Sequence, residues 1–262
     1  MEVYINEVRG LADCICSLYL SKRNIDREKE EHIRSVVQSM LDENGMVKLT
    51  PDTSSETIKE FNTYIERARK WGSQHHTLLK YMDFSSSVYG LHRAGQDDFD
   101  SHAERLDSRI VRSSTRLAKF GPGEKSEYYQ GKIITTDEVI DMLGIEMPAN
   151  IEKDGSTFVR TTNGYVREDL KDDFDVLRGL YMLSIPSNFI YKCNIIQFAH
   201  IVSLRDKFGH AAPEVKTMIE DTIFKLSVAT GGFITRKFLY DIERWYRLTP
   251  DEREAHLADI TD

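Results

Sequence analysis

Long apolar runs are missing from this chain of 262 residues. No stretch approaches the ~20 apolar residues needed to cross a bilayer, which excludes a membrane-spanning helix, and no membrane partner is expected. Cysteine is scarce. Cys14, Cys16 and Cys193 make an odd set of 3, and the Cys14 to Cys16 spacing suits neither a zinc knuckle nor a redox pair. The opening MEVYINEVRG carries acids where a secretory leader would carry bases, and it lacks an apolar core, so a cytoplasmic protein is expected. With no Pro, Gly or Ser linker and no internal repeat, the reading is one domain over residues 1–262, with an insertion near 121–157.

Positive charge is also in deficit. The 43 Asp and Glu outweigh 35 Lys and Arg, for a net charge of -8, which removes the simple electrostatic case for a nucleic-acid partner. Small anions are not excluded, because a local arginine cluster can hold a phosphate inside an acidic protein. Several standard sites are absent: no GxGxxG follows a strand, and no Walker lysine loop, HExxH pair or GxSxG elbow occurs. The histidines show no ligand spacing, so no metal is expected.

What is present is a helix-rich pattern. Ile33, Val36, Val37, Met40 and Leu41 predict a helix from about Asp26 to Glu43, closed by Gly45. A second begins at Thr53 or Ser54 and carries Ile58, Phe61, Ile65 and Trp71. Met82 to Leu91 reads as a strand. A helix from Gln96 to Asp98 onward would bury Phe99, Ala103, Leu106 and Ile110, with Asp97-Asp98 and Asp172-Asp173 as acids at helix starts. Thr136 caps a short helix, and Ser156 to Arg160 with Asn163-Gly164 and Tyr165 to Arg167 signals a hairpin. Helices are predicted over Asp169 to Leu183, Cys193 to Lys207, Pro213 to Ala229 and Arg236 to Arg247. The fold class is α+β, helix-rich with a modest antiparallel sheet.

Two arginine features carry candidate chemistry. In RLDSRIVRSSTRLAK, Arg109, Arg112 and Arg116 alternate with Ser108, Ser113, Ser114 and Thr115. Guanidinium groups and hydroxyls there suit an anion, while a solvated basic helix face explains the same pattern. Arg178 and Arg205 stand among apolar neighbours in VLRGLYML and HIVSLRDKFGH. Each must find a partner, whether a ligand or a structural carboxylate.

The run from Asp175 to Glu214 resembles the flavin-dependent thymidylate synthases. Arg178, Asn194, His200 six residues later, Arg205 eleven after Asn194, and His210-Ala211 with Glu214 follow that family's order, with one extra residue before His210. Its second signature, Arg-His-Arg followed by Ser-x-Arg, survives as Ser114-Thr115-Arg116 with Lys119. The triplet position reads Asp107-Ser108-Arg109, two residues short, and His92-Arg93 before Ser101 competes for it. Ile196 stands where the family usually has a flavin-binding Arg.

The resemblance implies a matching fold and the conversion of dUMP to dTMP, with methylenetetrahydrofolate as carbon donor, FAD as cofactor and NADPH as reductant, in a homotetramer. It assigns Arg112, Ser113, Ser114, Thr115, Arg116 and Arg178 to nucleotide binding. Arg205 would face the uracil and polarise it. His76, Arg109, Asn194 and His200 would contact FAD. The departures leave open a relative that binds nucleotide without flavin or performs another pyrimidine modification.

Overall fold

The computed structural model describes residues 1–22, 25–100, 109–112, 124–161, 164–177, 180, 183–206, 211–249 and 251–252. The first half runs through β1 (Glu2–Arg9), α1 (Leu11–Lys22), α2 (Arg27–Ser39), α3 (Ser55–Gly72), α4 (His76–Leu79), β2 (Asp83–His92), α5 (Arg93–Asp100) and β3 (Arg109–Arg112). The second runs through α6 (Thr136–Leu143), β4 (Asn150–Lys153), β5 (Ser156–Thr161), β6 (Gly164–Arg167), α7 (Phe174–Leu177), β7 (Pro186–Asn194), α8 (Ile195–Arg205), α9 (Pro213–Ala229) and α10 (Arg236–Arg247). Strands β1, β2, β7 and β3 hydrogen-bond in that order, and β4, β5 and β6 make a separate sheet. This is the expected helix-rich α+β class.

The chain packs as two compact units interleaved along the sequence. The larger comprises Val3–Ser87, Asp98–Ile110 and Ile190–Asp262. In it α1 buries Leu11, Cys14, Ile15, Leu18 and Tyr19, a helical stripe of spacing 3, 4, 7 and 8, and packs on α2, α3 and α4. An aromatic cluster holds α8 in place. Phe84 meets Tyr191 edge-on with ring centroids 5.7 Å apart and Phe198 at 5.0 Å, while Phe99 meets Tyr191 at 5.0 Å. Helix α10 lays Phe238, Leu239 and Ile242 into the core and packs on α8.

Gly10 turns the chain from β1 into α1 at φ +79°, and a Cβ there would lie 1.9 Å from the Tyr81 carbonyl oxygen. Gly10→Ala is therefore expected to cost about 2–3 kcal/mol, read as a fall in the urea midpoint. A loss within experimental error would refute the close approach.

The smaller unit comprises Met1–Glu2, Val88–Asp97 and Val111–Phe189. Strands β4 and β5 pair antiparallel with Asn150 opposite Val159, and β5 pairs with β6 with Phe158 opposite Arg167. Helix α6 opens on a capping box: Thr135 Oγ1 accepts from the Glu138 N–H, and Glu138 accepts from the Thr135 N–H. That backbone donor and Lys125 at 2.9 Å hold the Glu138 carboxyl down to about 2. The stabilisation from this lowered carboxyl is full above the ordinary Glu range, declines as pH falls below it and is lost as pH falls through about 2. Buried His92 stacks on Tyr128 and meets the edge of Tyr129.

Several local expectations change. Helix α2 ends at Ser39 with Met40 as its cap, and Gly45 instead makes a turn at φ +71°, where a Cβ would strike the Val8 carbonyl oxygen. Thr135, not Thr136, caps α6. Helix α5 starts at Arg93, which puts Asp97 and Asp98 in its second turn, and Ile110 belongs to a strand, as its β-branched neighbour Val111 favours. Among the described residues of the predicted Asp169 to Leu183 helix, the structure has a 3-10 turn at Glu168–Leu170 and the short α7. Asp173 does start α7, accepting from the Val176 N–H at 3.2 Å. Cys193 lies within β7 rather than beginning a helix, because Ser187, Phe189, Tyr191 and Cys193 are buried in alternation.

Candidate functional site

The carboxy-terminal run of candidate residues is built on one strand-to-helix junction. Strand β7 delivers Asn194, whose Oδ1 accepts from the Gln197 N–H at 2.9 Å and caps α8. The N-cap is a structural duty that Asn performs well, since it satisfies a helix-end donor. It also fixes the amide orientation, with Oδ1 as acceptor and Nδ2 as donor. The Ile195 N–H donates to the Met82 carbonyl at 3.1 Å, tying the junction to the residue before β2.

Eleven residues separate Asn194 from Arg205, about three helical turns, so both lie along one side of α8. His200 lies on another side, 41% exposed, with Nδ1 3.7 Å from Glu243 on α10.

Arg205 ends α8 and is buried. Its guanidinium lies 3.1 Å from Asp98 Oδ1, and Asp98 Oδ2 accepts from the Ala212 N–H at 3.3 Å, directly before α9. One carboxylate thus joins the end of α8 to the start of α9. The guanidinium is buried while the Asp98 carboxylate is partly exposed, so the desolvation falls mainly on Arg205 and this pairing offsets it. A partner carboxylate was one of the two readings open for Arg205, and Asp98 supplies it. Nothing in the local sequence pairs these residues, since the two helices meet only in the folded chain.

The next residue, Asp206, is fully buried. It lies 3.2 Å from Arg236 Nε and accepts from Tyr240 Oη at 3.1 Å. Burial, then the Asp206 charge, pushes the Tyr240 phenol up to about 12, so it remains a donor at neutral pH. Sequence reasoning missed this group, although an acid beside Arg205 and an Arg at the head of α10 were visible signals.

The remaining candidates divide by what is described. Ser113, Ser114, Thr115, Arg116 and Arg178 lie outside the described residues. For Arg109, Arg112 and His76 the backbone alone is described, in β3 and at the start of α4. A cleft of about 810 Å³ in the smaller unit is lined by Asp137, Asp141, Glu146, Asn150, Val159 and Arg160 among others, and holds none of the candidates. Among the described residues no cluster of His, Cys, Asp and Glu could hold a metal, and no helix is long and apolar enough to cross a membrane. All three cysteines are buried. Desolvation pushes the Cys14 thiol up to about 12 and Cys16 to about 11, and raises Cys193 as well, so none offers a thiolate nucleophile at neutral pH.

No family model and no curated protein matches the chain. Solved structures do. The UMP/dUMP methylase PolB from Streptomyces cacaoi, bound with 5-Br dUMP, superposes with a TM-score of 0.51 over 95% of this chain and 97% of its own, at 11% identity. This chain has the PolB fold. Thymidylate synthase X from Helicobacter pylori with FAD and dUMP matches with TM-scores of 0.48 and 0.49 in two structures, at 13% and 11% identity. Those two matches cover 92% and 90% of this chain, and 99% and 100% of theirs. Identity this low between chains of PolB fold makes the likeness one of architecture. The chemistry must be argued from the residues.

Proposed function

We propose that the protein is a divergent flavin-dependent thymidylate synthase, a methyltransferase that converts dUMP to dTMP. In this reading it acts as a single domain carrying an insertion near 121–157, in a cytoplasmic homotetramer. Methylenetetrahydrofolate donates the carbon, NADPH is the reductant, and FAD supplies the redox chemistry when bound. The observation that carries the reading is the Asn194, His200 and Arg205 series, set along the β7 to α8 junction with Arg205 buried against Asp98.

Arg205 directs guanidinium donors at the uracil, where negative charge on the N3 side is stabilised in a water-poor setting. Asp98 keeps that guanidinium in place. Arg112, Ser113, Ser114, Thr115, Arg116 and Arg178 serve the nucleotide, with hydroxyl, backbone and guanidinium donors suited to its phosphate. The described residues fit a flavin. Asn194 spends its oxygen on the helix cap and keeps Nδ2 as a donor for a carbonyl, and His200 keeps an exposed ring. His76 and Arg109 complete the flavin contacts. The raised thiols agree with methyl transfer that uses no protein sulfur.

The test is reconstitution. Protein incubated with FAD and desalted is expected to keep about one flavin per chain, with a yellow spectrum, as the cofactor carries the hard chemistry. A colourless protein that cannot be loaded sinks the flavin reading. Growth of a thymidine-requiring strain on expression of the chain is the expected second result, and its failure with flavin bound would point to another pyrimidine modification.

A further inference from the structure

The geometry points to Asp206 and Tyr240 as positioning residues for Arg205, acting from α10 on the end of α8; this rests on the proposed role of Arg205 at the uracil. Arg205 is the last helical residue, and the chain leaves the helix at Asp206, whose backbone is extended at φ -72° and ψ 178° while its N–H still donates to the Val202 carbonyl at 2.9 Å. Such an exit is where a helix frays unless something holds it. Here the holder is a side chain. The Asp206 carboxylate, fully buried, takes the Tyr240 hydroxyl at 3.1 Å and faces Arg236 Nε at 3.2 Å.

Tyr240 and Arg236 sit one helical turn apart on α10, so a rigid element presents both. Arg236 reaches outward as well, to Glu220 of α9 at 3.3 Å. The backbone at 205–206 is therefore held from α10, which is itself tied to α9 through Glu220, while Asp98 of α5 fixes the far end of the Arg205 side chain. A long side chain anchored at both root and tip loses little further freedom when it meets a ligand, which is what pre-organisation requires. Without the clamp the Arg205 Cα can drift while its charge still satisfies Asp98, and a shift of an ångström at a directed donor is costly.

The test separates positioning from general stability by using two ligands. In Tyr240→Phe, which removes a single hydroxyl, dUMP affinity is expected to fall by about tenfold, and in Asp206→Asn by more. Affinity for deoxyribose 5-phosphate, which lacks the uracil, should stay within about twofold in Tyr240→Phe, as should FAD content. Loss of both ligands and of flavin in parallel would mark a merely structural role and overturn the inference. Unchanged dUMP affinity in a folded Tyr240→Phe would overturn it too. A wild type that binds deoxyribose 5-phosphate and dUMP equally would overturn both this inference and the uracil role of Arg205. Should Asp206→Asn fail to fold, the Tyr240→Phe comparison decides alone.

Discussion

Arg205→Ala is expected to lower dUMP affinity at least ~100-fold by titration calorimetry, because guanidinium hydrogen bonds to the uracil, at about 1.5–3 kcal/mol each, are lost. Two effects contribute and can be told apart. The uracil loses its guanidinium donors, and the partly exposed Asp98 carboxylate loses its guanidinium partner. Neutralising Asp98 in the double variant Arg205→Ala/Asp98→Asn is expected to recover part of the thermal stability and none of the binding. Arg205→Lys keeps the charge and loses the planar fork, so it should fold well and bind dUMP weakly. A folded single or double variant with dUMP affinity within twofold of wild type would remove Arg205 from the site.

The largest stability effect is expected at Phe84. Its ring is fully buried and edges against both Tyr191 and Phe198. Phe84→Ala deletes that ring between two neighbours that cannot collapse into the gap, which costs about 3–5 kcal/mol. A fall in Tm of about 10 °C follows for a chain of this size. Phe198 lies on α8, so hydrogen exchange along α8 should quicken more than along α6. The control is Phe224→Ala on α9, where the side chain is 67% exposed. That change should leave stability within about 0.5 kcal/mol. A Phe84→Ala variant that loses no more than the control would show that the cluster does not hold the core.

Elements with a local start signal and a helical stripe were legible. Pro213 opens α9 and Arg236 opens α10 where the pattern places them, and Ser54 caps α3. Among the strands, β2 and the β5–β6 hairpin were legible and β1 and β7 were not. Glu2 to Arg9 buries only Val3 and Val8 on a polar background, and Pro186 to Asn194 hides its alternation behind a proline and two asparagines. Their identity comes from pairing partners distant in sequence, which no local period reports. Helix α1 carries a full stripe from Leu11 to Tyr19 in which Cys14 serves as a buried packing residue.

The residues alone settled the chemistry worth testing. Net charge, absent motifs and the spacing of Asn194, His200 and Arg205 are properties of the chain order, and they survive in any fold that keeps α8 a helix. Which side chains meet Arg205 and Asp206 was settled elsewhere. Asp98 comes from α5, and Tyr240 and Arg236 come from α10. An ion pair is legible in sequence when one helix turn joins its members. These depend on three helices packing at one place, a matter of long-range burial that local periodicity cannot carry.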